Sequence, residues 1–111
     1  MSSLYSEYIE IQKEDIPYEF EINLGNGVYK LKIHYNSFGD FFTVDLSKDN
    51  ATLIQGEKLI LNKPLFRNFV HVDLPSVSLI PAGRSGSAKH ITYNNFGETV
   101  FLYVVRGEIN G

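Results

Sequence analysis

The stretch YEFEINLGNGVYKLKIHY, Tyr18–Tyr35, decides the fold. Tyr18, Phe20, Ile22 and Leu24 alternate with Glu19, Glu21 and Asn23. A period of two puts the apolar side chains on one face of a strand and the acids on the other. Gly25-Asn26-Gly27 follows and supplies the positive φ that a tight hairpin needs. The alternation then resumes. Tyr29, Leu31, Ile33 and Tyr35 share one face, while Lys30, Lys32 and His34 share the other. Folding the hairpin lays the acid face beside the lysine face. Such cross-strand pairs add about 0.2–1 kcal/mol each and help to fix register.

Working outward, Asn36-Ser37-Phe38-Gly39-Asp40 is turn chemistry. It separates the second strand from Phe41–Leu46, where Phe42, Val44 and Leu46 share a face. The six residues YNSFGD at Tyr35–Asp40 return as YNNFGE at Tyr93–Glu98. Ile33, Tyr35, Asn36, Phe38 and Gly39 align at one offset with Ile91, Tyr93, Asn94, Phe96 and Gly97. The simplest account is one hairpin type used twice. An old duplication and a shared ligand motif compete with it, but the intervening segments do not echo each other. The turn residues are then Gly25, Gly27, Asn36, Gly39, Asn94 and Gly97, with Phe38 and Phe96 near core edges.

The remaining segments are short. Ala51–Leu61 predicts two strands around Gly56, and Pro64 borders a strand because it lacks a ladder donor. Pro75 and Pro81 bracket Val77–Ile80, a short inward-facing strand. Ala82–Ala88 is a loop. Thr99–Val105 is apolar on both faces, as a central strand buried on two sides should be. Nothing shows ten residues of helical periodicity. Many short strands with Gly and Pro turns predict an all-β, single-domain antiparallel β-barrel or sandwich. The expected division is an N-terminal arm over 1–11, one β domain over 12–107 and a C-terminal tail over 108–111.

Composition narrows the function classes. A chain of 111 residues suits one modest core. The net charge of -3 gives no basic footprint for nucleic acid. Residues 1–55 hold nine acids and four bases, and residues 56–111 hold four acids and six bases. Incidental distribution is the first reading of that asymmetry, and a subunit oriented in an assembly is the second. There is no cysteine, so disulfides and thiolate chemistry are impossible. MSSLYSEY lacks a basic region followed by an apolar run, so it does not read as a signal peptide. No apolar run approaches the length of a membrane span.

Catalytic and metal patterns are sparse. His34, His71 and His90 are far apart, without HxH or HExxH spacing. Asp45 is out of phase with Val44 and Leu46, so it should face away from the core. Ser85 and Ser87 lie near His90, but neighbours in a loop do not build a base and an oxyanion hole. AGRSGSAKH, 82–90, is polar and glycine-rich without Walker spacing or a following helix. The first reading is contact with a neighbouring subunit, through Arg84, Ser85, Ser87, Lys89 and His90, with a plain solvent loop close behind and small-anion binding third. No metal or cofactor is expected.

The order of segments resembles the small baseplate plug proteins of contractile-tailed bacteriophages. The corresponding stretches are Glu19–Leu24, Tyr29–Asn36, Phe41–Leu46, Leu59–Pro64, Leu79-Ile80-Pro81 and Thr99–Val104, within residues 16–106. Two departures stand out: Tyr35, where many relatives place tryptophan, and the longer 82–90 loop. The resemblance implies a virion structural protein of the tail tip or baseplate, made in the host cytoplasm. It implies contacts with hub and tail proteins, a plugging or sealing role at the central hub, and no reaction or cofactor. Several copies in a symmetric assembly would fit. Two other classes stay open on the residues alone. A peptide- or carbohydrate-binding β module would need an exposed aromatic cluster. A small β-barrel enzyme would need His34, Asp45 or His90 to converge with a nucleophile or metal.

Overall fold

The computed structural model describes residues 7–67 and 74–106. His71 lies outside the described residues. The elements are β1 (Tyr8–Ile9), a 3-10 turn (Lys13–Asp15), β2 (Tyr18–Asn23), β3 (Val28–Asn36), β4 (Phe41–Lys48), β5 (Ala51–Lys58), β6 (Ser78–Gly83) and β7 (Val100–Val105). They form two antiparallel sheets, ordered β2-β3-β4-β5 and β1-β7-β6. The chain is therefore all-β, with no closed barrel.

Alternation builds the four-stranded sheet as expected. Tyr29, Leu31, Ile33, Phe42, Val44 and Leu46 are all buried on one face. They share a single core with Ile9, Leu79, Val100, Leu102 and Val104 of the other sheet. On the opposite face Glu19 pairs in register with Lys32, and Glu21 with Lys30. The ion pair itself is diagonal: Lys30 Nζ lies 3.5 Å from Glu19. Both side chains are exposed, so the pair adds at most about 1 kcal/mol and serves register more than stability.

The β2–β3 turn does more than reverse the chain. Gly25 has φ +96. The Leu24 N–H donates to the Gly27 carbonyl (2.9 Å), and the Gly25 N–H donates to Asn23 Oδ1 (2.9 Å). Asn26 then reaches across the fold. Its Nδ2 donates to the Leu74 carbonyl (3.1 Å), and its Oδ1 accepts the Ser76 N–H (3.2 Å). The hairpin tip is thus docked on the chain that leads into β6.

Three expectations need correction. The two strands predicted in Ala51–Leu61 are one strand, β5, which Gly56 bends without ending it. Gly56 has φ +74, and the β4–β5 register shifts beside it. Its N–H is taken by Asp45 Oδ1 at 2.8 Å, which replaces a lost ladder bond. Leu59–Leu61 lies beyond β5, and Leu59 is held by its N–H to the Phe42 carbonyl (2.9 Å). Secondly, Pro81 lies inside β6 instead of after it. The position is tolerated because β6 is an edge strand of its sheet. The Asn62 and Leu65 N–H groups donate to the Pro81 and Leu79 carbonyls, away from β7, so the missing proline N–H costs no bond to β7. The third correction concerns the YNSFGD echo, taken up below.

β7 is the central strand of its sheet, and all six residues are buried. Tyr8 and Ile9, within the stretch read as an arm, pair with Tyr103 and Leu102 of β7. Ile9 enters the core, while Tyr8 packs on Phe101 with ring centroids 4.6 Å apart. The Glu7 carboxylate accepts from Arg106 at 2.9 and 3.2 Å and ties the two ends of the described fold together.

Candidate functional site

The two echoed stretches meet in space. Asp40, from the first, accepts the Tyr35 hydroxyl at 2.7 Å and the backbone N–H of Tyr93, from the second, at 2.8 Å. The Tyr35 and Tyr93 rings lie 5.0 Å apart. Phe42 lies 4.9 Å from Tyr35 and 4.6 Å from Phe96. Lys13 donates to the Tyr93 carbonyl, and its ammonium sits 4.7 Å from the centre of the Tyr93 ring. One aromatic cluster, braced by one carboxylate, closes this end of the four-stranded sheet.

The echo is nevertheless not one hairpin used twice. Asn36–Asp40 does connect two paired strands, but no strand leads into the second copy. The local bonds also differ. Asn36 Oδ1 accepts the Gly39 N–H at 3.0 Å. In the second copy the next residue, Asn95, organises the turn. Its Oδ1 accepts the Thr92 N–H, its Nδ2 donates to the His90 carbonyl, and its own carbonyl accepts from Glu98, Thr99 and Val100. Positive φ falls on Gly97 (+87) in the second copy but on Asp40 (+55) instead of Gly39 in the first. The two phenylalanines part completely: Phe96 is 1% exposed and Phe38 is 103% exposed. The Phe41 ring covers Gly39 so closely that an added Cβ would stand 2.5 Å from it, and Lys58 caps the ring at 4.6 Å. The expectation of Phe38 at a core edge is corrected: its ring stands in solvent.

The brace has a pH signature. Tyr35's hydroxyl bond, with the Tyr93 N–H second, holds the Asp40 carboxyl below the ordinary carboxylate range. The same bond, assisted by desolvation and by the carboxylate's charge, pushes Tyr35 up to about 12. The Arg106 bond likewise lowers Glu7. A depressed carboxyl gives stability that is present above its unfolded value, about 3.9 for Asp. That stability is lost as pH falls through the lower folded value. For Tyr35 the sign is opposite: the contribution is complete below about 10 and lost as pH rises through about 12. Melting temperatures from pH 2 to 7 should therefore fall at the acid end. Asp40→Asn should flatten that fall, leaving the Glu7 share. Parallel profiles for the two proteins would show that the bond is not linked to folding.

The expected interface residues lie on two different surfaces. Arg84 stacks its guanidinium 4.9 Å from the centre of the Phe101 ring, beside the β1–β7 junction. Ser85 and Ser87 bond to each other at 2.9 Å. Lys89 and His90 line a cleft of about 450 Å³ with Asp40, Phe41, Lys58 and Ile60. All five predicted residues are exposed.

His34 and Asp45 do converge, with Nε2 and Oδ2 3.0 Å apart on the outer face of the sheet. Among the described residues no serine or threonine hydroxyl bonds to the His34 ring, and the second Asp45 oxygen is committed to Gly56. The pair braces the β5 bend. His90 does not join it. Among the described residues no group of three or more His, Asp or Glu is placed to hold a metal ion. The rings of the aromatic cluster do not form a sugar platform either. Phe42 and Phe96 are buried, and only Tyr93 counts as exposed, at 37%. No helix among the described residues is long and apolar enough to cross a membrane.

No curated protein matches the chain significantly. The sequence model of one protein family does match it. That family is described as the cyanophage baseplate Pam3 plug gp18, and the match covers residues 6–107 of 111. The described fold, from Glu7 to Arg106, falls wholly within the matched span, so this chain belongs to the cyanophage baseplate plug family.

Proposed function

We propose that the chain is a structural component of a phage tail baseplate that plugs or seals the central hub through protein–protein contacts. The observation that carries this is the family match over nearly the whole chain. An all-β body with two sheets over one core, read as a sandwich, offers surfaces for packing rather than a chemical centre. The chain does no catalysis in this account and takes no cofactor. Its partners are the hub and other tail proteins, with further copies of itself as neighbours in a symmetric assembly. It is made in the host cytoplasm and resides in the virion.

Loop 83–89 and the two chain ends outside the paired β1 supply contacts in this account. Arg84 and Lys89 are exposed cations suited to charge-assisted bonds with carboxylates or carbonyls. Complementation of a phage lacking this gene with an Arg84→Glu, Lys89→Glu double variant tests the loop. The isolated variant should melt close to the parent, less the Arg84–Phe101 stacking, worth about 0.5–1 kcal/mol. Its abundance in purified tails, measured by mass spectrometry, should fall. Normal incorporation would remove the loop from the interface. Absence of the parent chain from purified tails would remove the virion function.

A further inference from the structure

Phe38 is the most exposed large apolar side chain described in the fold, at 103%. A lone exposed Leu or Val needs no explanation. A phenyl ring standing wholly in solvent at the tip of a hydrogen-bonded turn does. The β3–β4 tip that presents it is braced at three points. Asn36 accepts the Gly39 N–H, Asp40 accepts the Tyr35 hydroxyl, and the same Asp40 oxygen accepts the Tyr93 N–H. The Phe41 ring lies over Gly39, the residue after Phe38. The tip is thus set before any partner arrives, which lowers the ordering cost of an anchor.

The surroundings specify the partner. Gly39 and Asp40, next to Phe38, line the cleft that also holds Lys58, Ile60 and Lys89. Ile60 is 45% exposed. Among the described residues Asp40 is the cleft's only carboxylate, against the two lysines, and it is already engaged by Tyr35 and Tyr93. Lys58 stacks on Phe41 at 4.6 Å, so its charge is held near the tip. An apolar knob with a cationic rim matches an apolar socket with a carboxylate rim. A second copy meeting the same end would set lysines against lysines, which disfavours a two-fold dimer through this surface.

We propose that Phe38 is the anchor of this chain's contact with a different baseplate protein, seated in an apolar socket edged by carboxylates, with Lys58 and Lys89 as the charged rim. The proposal rests on the baseplate function above and assigns the contact a centre that the loop does not contain.

The test uses the full chain in complementation. Phe38→Ala should melt like the parent, because the ring touches no core, yet fall about tenfold or more in abundance in purified tails. Phe38→Leu should retain most incorporation, and Lys58→Glu with Lys89→Glu should reduce it. Val28→Ala, at the other end of β3 and 53% exposed, serves as control and should incorporate normally. A benzophenone amino acid at position 38 should crosslink in assembled tails to one virion protein that is not this chain. Normal incorporation of Phe38→Ala would overturn the anchor, as would an equal loss for Val28→Ala. So would a crosslink to a second copy. Phe38-dependent binding of the purified chain to vesicles of anionic phospholipid would replace the protein partner by a membrane. Absence of the unmodified chain from tails is a separate failure, that of the baseplate function itself.

Discussion

Truncating Phe42 to alanine is expected to destabilise the fold by about 3–5 kcal/mol, the cost of a buried phenylalanine in a core that relaxes only partly. Phe42 is 0% exposed and lies where the two echoed stretches meet. It contacts Tyr35 and Phe96 at centroid distances of 4.9 and 4.6 Å, and stacks on Tyr93 at 6.2 Å. Its backbone carbonyl also accepts from Leu59. A cavity there opens inside the common core, to which Phe42 and Phe96 both belong. A domain of this size is stable by only about 5–15 kcal/mol, so the loss is a large fraction of the total. Urea or thermal unfolding of the purified variant measures it. A loss below about 1 kcal/mol would mean that the cluster repacks and that the meeting of the echoes is not part of the core. Phe42→Leu, which keeps most of the volume, should recover much of the difference.

The second large effect is expected at the β2–β3 turn. Gly25→Ala should cost about 1–3 kcal/mol from backbone strain, because φ +96 is a conformation that side chains with a Cβ rarely adopt. The docking of the turn adds to the loss. An added Cβ would overlap Ser76 Oγ, which donates to the Leu24 carbonyl, and crowd Val77, so the segment docked on the turn must shift. Gly56→Ala separates the two causes. It shares the positive φ, +74, but an added Cβ there meets open space. Chemical unfolding of both variants should show Gly25→Ala as the more damaging. Equal losses would assign the whole effect to backbone strain and none to docking.

Much of the architecture was legible in the chain itself. Alternation in Tyr18–Tyr35 and Phe41–Leu46 fixed three strands and their inward faces, because a period of two has only two ways to point. The acids of β2 and the lysines of β3 indicated that the two charged faces lie side by side, and the fold pairs them as Glu19↔Lys32 and Glu21↔Lys30. Gly25-Asn26-Gly27 marked the hairpin, and the doubly apolar Thr99–Val105 marked a central strand. These are local properties, set by backbone geometry and the hydrophobic effect, so a single sequence suffices to read them. The five candidate interface residues were legible as exposed and polar.

What only the tertiary structure decided depends on contacts between residues far apart in the chain. YNSFGD and YNNFGE are nearly the same text, yet one is a hairpin and the other is a turn wound around Asn95. Their partners, not their residues, make the difference. Phe96 has Phe42 to pack against, whereas Phe38 stands in solvent on a turn whose glycine is covered by Phe41. Gly56 bends a strand instead of ending one because Asp45, eleven residues earlier, accepts its N–H. Pro81 sits inside a strand because β6 happens to be an edge. The echo brings its two copies together through Asp40, a link over fifty-three residues. Local text sets what a segment can do, while the space left by its distant neighbours selects which of those things it does.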